Sequence, residues 1–413
     1  MSAPLVATTV AVAETPDLLS VGGDRAGLLW RSETRAIAGV GEALRIDLPG
    51  GLADRDGVRR VAGILESIDT RDGLRRPGTG PVAFAALPFD PTAGGHLVVP
   101  RTLWGTDLQG SWVTVVGPEG CRPDLPPDGR QGGRPPDRFS LVPSLSHDDW
   151  QAVIAEAVDR IRAGALDKVV LARRVDVEAN RPFLSADILG RLAALYPSCM
   201  VFDIEGFVGA SPELLVGRQG TTIESHPLAG TVARSGDAAA DDALVAGLFA
   251  SAKERWEHHL VIDTLSAALR PFCESLEVPD QPAVLGLRNV SHLATFISGR
   301  LAADPVTGRV PTALDMVAEV HPTPAVGGTP TKAAIAHLQA VEGFDRGRYA
   351  GPVGWVDARG DGAFALGIRS AVLDGARASM YAGVGVVADS DPAAELAETQ
   401  LKLQALLAAI VRP

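Results

Sequence analysis

A layered α+β sandwich, rather than a barrel, is the fold class that this 413-residue sequence predicts. Two observations point there. Strand-like runs are mixed with long helical periods without regular βα alternation. Hydrophobic residues make up 46% of the chain and charged residues 21%, which supplies the apolar surface for a packed core and excludes wholesale disorder. Length alone allows two to three domains or one large α/β unit.

Composition also narrows the partners. No run approaches ~18 uninterrupted apolar residues, so no membrane span is expected. The first twenty residues lack a basic n-region, which argues against a secretory leader. Cys121, Cys199 and Cys273 are scattered; they form neither a disulfide framework nor a metal knuckle and fit a reducing cytoplasm. With 38 basic and 50 acidic side chains the net charge is -12. Without a basic block, nucleic acid and anionic membranes are not expected partners. An anionic ligand would need a positive field assembled locally.

Residues 1–145 are rich in Gly and Pro and carry short β-like runs at 81–86 and 96–100. The Pro/Gly/charge-rich segment 118–138 reads as a long surface loop. From residue 146 the pattern sharpens. Trp150, Val153, Ile154, Ala157, Val158 and Ile161 form one stripe of an amphipathic helix, with Ser146 and Asp149 as its N-cap signal and Gly164 as its stop. A β-branched strand follows at 168–177, with Lys168, Val170, Ala172, Arg174 and Asp176 on one side. Further strands are expected at 200–203, 207–210, 364–369 and 378–382. Long helices are expected at roughly 240–270, 329–341 and 391–411.

The acidic helices carry the first chemical signal. Glu395, Glu398 and Lys402 share one face of the last helix, beside an apolar stripe of Leu396, Leu403, Leu407 and Ile410. By itself that face reads first as solvated, with an i,i+4 ion pair. Glu254 and Glu257 lie on nearly the same face as Val261, Leu265 and Leu269, where carboxylates are costly unless neutralised. Two such helices can build an oxygen-lined site for Mg²⁺.

Lys168 opens a strand expected to be buried, so it either snorkels to the edge or has a lowered pKa. Glu213 follows what reads as a turn, where a cap or surface acid is the ordinary expectation. Arg369 ends an apolar run and should face a carboxylate or a ligand.

Three decoys fall away. Glu257-His258-His259 lacks the His-Glu-x-x-His spacing of a zinc helix. Gly383-Val-Gly385-Val-Val-Ala388 matches a dinucleotide fingerprint, but the 25 residues after it cannot complete a βαβ unit. Its glycines read instead as a tight strand-to-helix turn, or as backbone that admits an anion near a helix N-terminus. Ser211 precedes a proline and is no nucleophile elbow.

In order, the motifs are Leu166-Asp-Lys168-Val-Val-Leu-Ala-Arg, Gly209-Ala-Ser-Pro-Glu213, Pro227-Leu-Ala-Gly230-Thr231 and Lys253-Glu-Arg-Trp-Glu257-His. Ser291-His292-Leu-Ala-Thr, His321-Pro-Thr-Pro-Ala325, Gly351-Pro-Val-Gly, Ile368-Arg369, Tyr381-Ala-Gly383-Val-Gly385 and Glu395-x-x-Glu398-x-x-x-Lys402 follow. From about residue 146 onward this series resembles the chorismate-utilising enzymes, the group that includes anthranilate synthase component I, and within them the isochorismate synthases.

The resemblance implies a single large α/β sandwich of two facing, mostly antiparallel sheets with helices outside. Residues 1–145 are then the N-terminal part of the same sandwich, and 146–413 the chorismate-binding catalytic region. It implies Mg²⁺-dependent, reversible conversion of chorismate to isochorismate, feeding menaquinone or siderophore biosynthesis. Lys168 matches the base that activates water, a role that calls for a depressed pKa. Glu213 matches the acid that protonates the departing hydroxyl. Glu257 and Glu398 match the metal ligands, with Glu254 and Glu395 beside them. Gly230, Thr231, Ala325, Arg369, Gly383, Gly385 and Lys402 match positions that hold the substrate, and His321 is expected near its ring.

A lysine often stands at the position of Ala229 in aminodeoxychorismate synthases, and anthranilate synthases usually lack the Lys168 equivalent; both differences favour water as the nucleophile. Salicylate synthase and a non-catalytic chorismate-binding paralogue are the alternatives. No glutaminase subunit is expected, and a cytoplasmic monomer is. Val384, where alanine is usual, is expected to narrow the pocket.

Overall fold

The computed structural model describes residues 4–23, 27–124 and 133–411. Their strands form one large hydrogen-bonded network and one three-stranded sheet. The network has two arms. One runs from Gly95–Asp107 through Arg35–Leu48, Leu28–Arg31, Met200–Ile204, Phe207–Ser211, Ser370–Asp374 and Arg377–Val386 to Lys168–Ala179. The other leaves Gly95–Asp107 through Val82–Ala86, Pro352–Asp357, Gly362–Leu366, Leu214–Gln219, Thr222–His226 and Ile297–Leu301 to Cys273–Glu277. All these pairings are antiparallel; Val6–Val12 and Asp69–Asp72 pair in parallel.

The arms face each other across Trp30, Ile37, Phe202 and Phe207 from one and Phe84, Leu214 and Trp355 from the other. The two facing sheets are therefore two arms of one network, joined along a long shared strand. Helices cover the outer faces. Val201 and Val208 point outward against Leu189 and Leu192 of the Ser185–Leu195 helix, while their neighbours Phe202 and Phe207 point into the inter-arm core. Burial on both faces explains why these strands read as continuous apolar runs rather than as alternating ones.

Strands before residue 145 pair with strands after it at three places, Arg31 with Val201, Ala86 with Val353 and Phe139 with Ala179. The centre of the expected 118–138 loop, 125–132, lies outside the described residues; its flanks carry neither helix nor strand.

The His147–Arg162 helix begins where its cap signal places it, with Ser146 Oγ accepting from the Asp149 N–H at 3.1 Å. The expected 240–270 helix is instead two helices, Ala238–Ala250 and Ala252–Leu269. Ser251 separates them in an extended conformation and caps the second by accepting from the Glu254 N–H, which satisfies an orphan donor of that helix. This break aims Glu254 and Glu257 independently of the preceding helix. The 364–369 run also ends early. Its strand stops at Leu366, and Arg369 adopts a left-handed φ of 50°.

Candidate active site

A cavity of about 920 Å³, its open mouth included, gathers most of the polar side chains singled out above. That is within the range of small-molecule sites, about 300–1,000 Å³. The Ala252–Leu269 helix contributes Lys253, Glu254 and Glu257, and the Pro392–Ile410 helix contributes Glu395, Glu398 and Lys402. Strands and turns contribute Glu213, Gly230, Thr231, His292, Ala325, Arg369, Gly383 and Gly385.

Four of the five glutamates on the cavity wall stand on these two helices, and so many carboxylates together need cations. Glu257 Oε1 lies 2.7 Å from Lys168 Nζ, Glu398 Oε1 2.6 Å from Lys402 Nζ, and Glu395 Oε1 3.4 Å from Lys253 Nζ. Burial pushes the Glu257 carboxyl up, but Lys168, Lys402 and Lys253 outweigh it and hold the group below its usual range. Glu254 has no ion-pair contact among the described residues. Burial, then the charge on Glu257, pushes it up to about 7. Burial also raises Glu395, against the opposing effects of Ser390 and Lys253.

Glu213 behaves in the opposite way to Glu257. It is buried, not a surface cap, because it sits between two strands of the sandwich, Phe207–Ser211 and Leu214–Gln219. Burial pushes it up to about 8, and the Leu228 N–H with the charges of Lys168, Arg369 and Lys402 offset only part of that. At neutral pH it therefore holds a proton and can donate it.

Lys168 is fully buried, so it does not snorkel. It is not itself on the cavity wall; its ammonium meets the wall through Glu257, in an off-line contact. Gly385 makes this approach possible. A Cβ there would stand 2.5 Å from Glu257 Oε1 and 3.1 Å from Lys168 Cε. Gly383 and Gly385 thus lie within the Arg377–Val386 strand, not in a strand-to-helix turn as their pattern suggested. Their neighbour Val384 points into the core and leaves the pocket width unchanged, because strand alternation sends it to the other face. Gly230 has φ 76°, and a Cβ there would crowd Glu254 Oε2 at 3.0 Å.

Arg369 reaches the cavity from its strained turn. Its one side-chain hydrogen-bond contact is His292 Nε2, at 3.4 Å, and among the described residues no carboxylate lies within ion-pair distance. A half-buried guanidinium left this way suits an incoming carboxylate. His292 was quoted in a motif without a role, yet it joins three site residues. Its Nδ1 lies 3.1 Å from Thr231 Oγ1 and 3.2 Å from Gly230 O, and its Nε2 faces Arg369. Burial, with Arg369 and Lys402 nearby, pushes the imidazole down to about 3, so it is neutral.

His321 is a correction. It is buried away from the cavity wall, with Nε2 2.9 Å from the Phe89 carbonyl and its ring edge-on to Phe89. The zinc-like pair also dissolves: His258 bonds Thr295 Oγ1 at 2.7 Å, and His259 is exposed. Lys253, Tyr349 and Tyr381 also line the cavity, and sequence reasoning gave them no role. Tyr349 and Tyr381 stack at 4.9 Å, a contact across 32 positions with no local signature.

Among the described residues no three His, Cys, Asp or Glu groups converge as a preformed metal cage. Two carboxylates in a shared cavity nonetheless match the donor set of Mg²⁺, which takes one or two from the protein and completes its shell with water and substrate oxygens. No described helix is long and apolar enough to cross a membrane.

Comparison with known proteins agrees with this architecture. The pattern of the family described as chorismate binding enzyme matches residues 131–411. A Mycobacterium tuberculosis protein provisionally named isochorismate synthase MenF is 40% identical over 350 residues, 81% of this chain and 88% of that protein. The isochorismate synthase DhbC of Bacillus subtilis is 36% identical over 342 residues, 80% of this chain and 81% of that protein. A crystal structure from Bacillus anthracis, provisionally named a 2,3-dihydroxybenzoate-specific isochorismate synthase, superposes with a TM-score of 0.79 at 31% identity, covering 95% of this chain and 98% of that one. With its fold, its cavity and its sequence in agreement, the chain belongs to the chorismate-binding enzyme family.

Proposed function

We propose that this protein is an isochorismate synthase that adds water at C2 of chorismate while the C4 hydroxyl leaves, reversibly. The observation that carries this reading is the presence in one cavity of a proton-bearing Glu213, a Glu257 held charged by Lys168 and a Glu398 paired with Lys402.

Water is a poor nucleophile and hydroxide a poor leaving group, so one residue must take a proton and another give one. Each such transfer contributes typically ~10²–10⁴-fold. Lys168 takes the proton from the attacking water as the C2–O bond forms. Glu213 gives its proton to the C4 oxygen as that C–O bond breaks and the ring double bonds shift. Lys168 can take that proton only as the neutral amine, so its ammonium must first give up a proton and leave Glu257. Arg369 binds one substrate carboxylate in a forked geometry, with neutral His292 steadying the guanidinium beside Thr231 and the Gly230 carbonyl. Gly383 and Ala325 give the ring close access to backbone, Gly385 leaves room for Glu257 and Lys168, and Lys402, tied to the Gly383 carbonyl at 2.9 Å, adds positive field.

Glu257 and Glu398 would hold Mg²⁺, with Glu254 and Glu395 beside them directly or through water. When bound, Mg²⁺ supplies a clamp for the other substrate carboxylate and neutralises carboxylate charge that otherwise faces the lysines. These cations account for how a chain of net charge -12 holds a dianion. A cytoplasmic monomer acting without a glutaminase subunit, in a menaquinone or siderophore route, completes the proposal.

The test is chromatography of chorismate incubated with the purified protein, with and without Mg²⁺ and with ammonium as competing nucleophile. Mg²⁺-dependent isochorismate is expected. Pyruvate release would shift the reading to a salicylate synthase, and binding without turnover to a non-catalytic paralogue.

A further inference from the structure

The strand that carries Lys168 is paired along one edge without interruption, from Val169 opposite Val386 to Glu178 opposite Arg377. Its other edge is broken. Gly328–Thr329 covers Lys168 and Val169, and Phe139–Pro143 covers Val175 to Ala179. In the gap, the Val170 carbonyl and the Ala172 N–H meet side chains instead of a strand. The Ala172 N–H donates to Glu342 Oε1 at 2.7 Å, and Arg346 Nη2 donates to the Val170 carbonyl.

Glu342 and Arg346 grip each other through a two-point contact, with Arg346 Nε 2.8 Å from Glu342 Oε2 and Nη2 on Oε1. The remaining guanidinium nitrogen, Nη1, donates to the Val326 carbonyl at 2.8 Å. The Arg346 guanidinium also lies 4.4 Å from the Phe89 ring centroid, and the Phe89 carbonyl in turn holds His321. Both charged residues are buried, 3% and 5% exposed.

Stability alone does not account for the pair. Glu342 caps the C-terminus of the Thr331–Val341 helix, where the helix dipole disfavours an acid. Two buried charges also cost desolvation that an apolar pair of similar volume avoids. What the pair does achieve is geometric. It replaces a missing length of strand and ties the Lys168 strand to the Ala325–Val326 turn, and Val170, Ala325, Val326 and Arg346 all line the cavity.

We propose that Glu342 and Arg346 are positioning residues that fix the spacing between the Lys168 strand and the Ala325 turn, and so set catalytic geometry beyond their contribution to fold stability. This rests on the isochorismate synthase reading for its activity readout. The experiment compares the unaltered protein with Glu342→Leu/Arg346→Met and with Arg346→Lys, measuring thermal midpoint, kcat and KM on chorismate, and crystal structures.

The double variant leaves the Ala172 N–H and the Val170 and Val326 carbonyls without partners, so its thermal midpoint is expected to fall, while kcat falls about 100-fold, a loss that a displacement of about 1 Å at a reacting centre can cause. Arg346→Lys keeps the charge opposite Glu342 but loses the fork to Val170 and Val326. It is expected to show the same loss in kcat with a smaller change in KM, and it carries the test if the double variant does not fold. A folded variant of either kind with kcat within about threefold of the unaltered protein would overturn the proposal. If the unaltered protein binds chorismate without turning it over, the enzymatic reading fails separately. The positioning role then rests on the crystal structures, in which the Ala325 turn of Arg346→Lys is expected to shift by about 1 Å from the Lys168 strand; an unmoved turn would overturn it.

Discussion

Glu257 and Glu213 are the same residue type on the walls of the same cavity, yet they are pushed in opposite directions. Glu257 stands on a helix among Lys168, Lys402 and Lys253 and is held charged. Glu213 stands between two strands with no ion pair among the described residues, and burial raises it to about 8. The contrast teaches that the cavity sorts its carboxylates by neighbour rather than by depth. Glu257, with an ammonium against it, is held as an anion fit to meet a cation, and Glu213, without one, is kept as a neutral acid.

The strongest way to break this contrast is to remove the ammonium. Lys168→Ala is expected to abolish turnover and also to lower the thermal midpoint, because Glu257 is left as a buried charge without its partner, a loss of about 3 kcal/mol. Adding Glu257→Gln should restore the midpoint without restoring turnover, as read by calorimetry and product chromatography. Near-normal activity of either variant would take Lys168 out of the mechanism.

Removing the acid comes next. Glu213→Gln should lower kcat by about 10²–10⁴-fold while the thermal midpoint at pH 7 is raised rather than lowered, since glutamine mimics the neutral folded form and, unlike glutamate, does not ionise on unfolding. A midpoint that falls sharply would mean that Glu213 is an anion in the folded protein. At the proposed metal site, Glu398→Gln is expected to raise the Mg²⁺ concentration needed for half-maximal rate at least tenfold, since loss of even an outer-shell partner typically costs about 10–100-fold in metal affinity. An unchanged Mg²⁺ titration would remove Glu398 from the metal site.

The smallest effect is on stability against pH. Glu213 binds its proton more tightly folded than unfolded, so the stability it contributes is full below its ordinary value of 4.5 and is lost as pH rises through about 8. Glu213→Gln should therefore match the unaltered protein near pH 5 and exceed it in thermal midpoint near pH 9. Parallel curves across that range would contradict the raised carboxyl.

What was legible in the sequence was local. Ser146 and the Trp150 stripe define the His147–Arg162 helix because cap and period both lie within a few residues of the structure they specify. Glu254 with Glu257, and Glu395 with Glu398, were readable as pairs because i,i+3 spacing is a property of one helix. What was missed depends on distant chain. Gly385 reads as a turn glycine until Glu257 arrives from a helix 128 positions earlier to occupy the place of its Cβ. His321 looks like a site residue until the Phe89 carbonyl, 232 positions away, claims its ring. The buried pair of Glu342 and Arg346 has the spacing of an ordinary surface pair, and only the gap beside the Lys168 strand gives it a purpose. Ser251 is the exception. Its cap is local, three residues before Glu254, yet the segment at roughly 240–270 was read as one helix.

Infrared difference spectroscopy between the unaltered protein and Glu213→Gln tests the sorting of carboxylates most directly. The account predicts a carboxylic-acid carbonyl band from Glu213 at pH 7 that gives way to a carboxylate near pH 8. A Glu213 already ionised at pH 7, with its transition in the ordinary glutamate range, would contradict it.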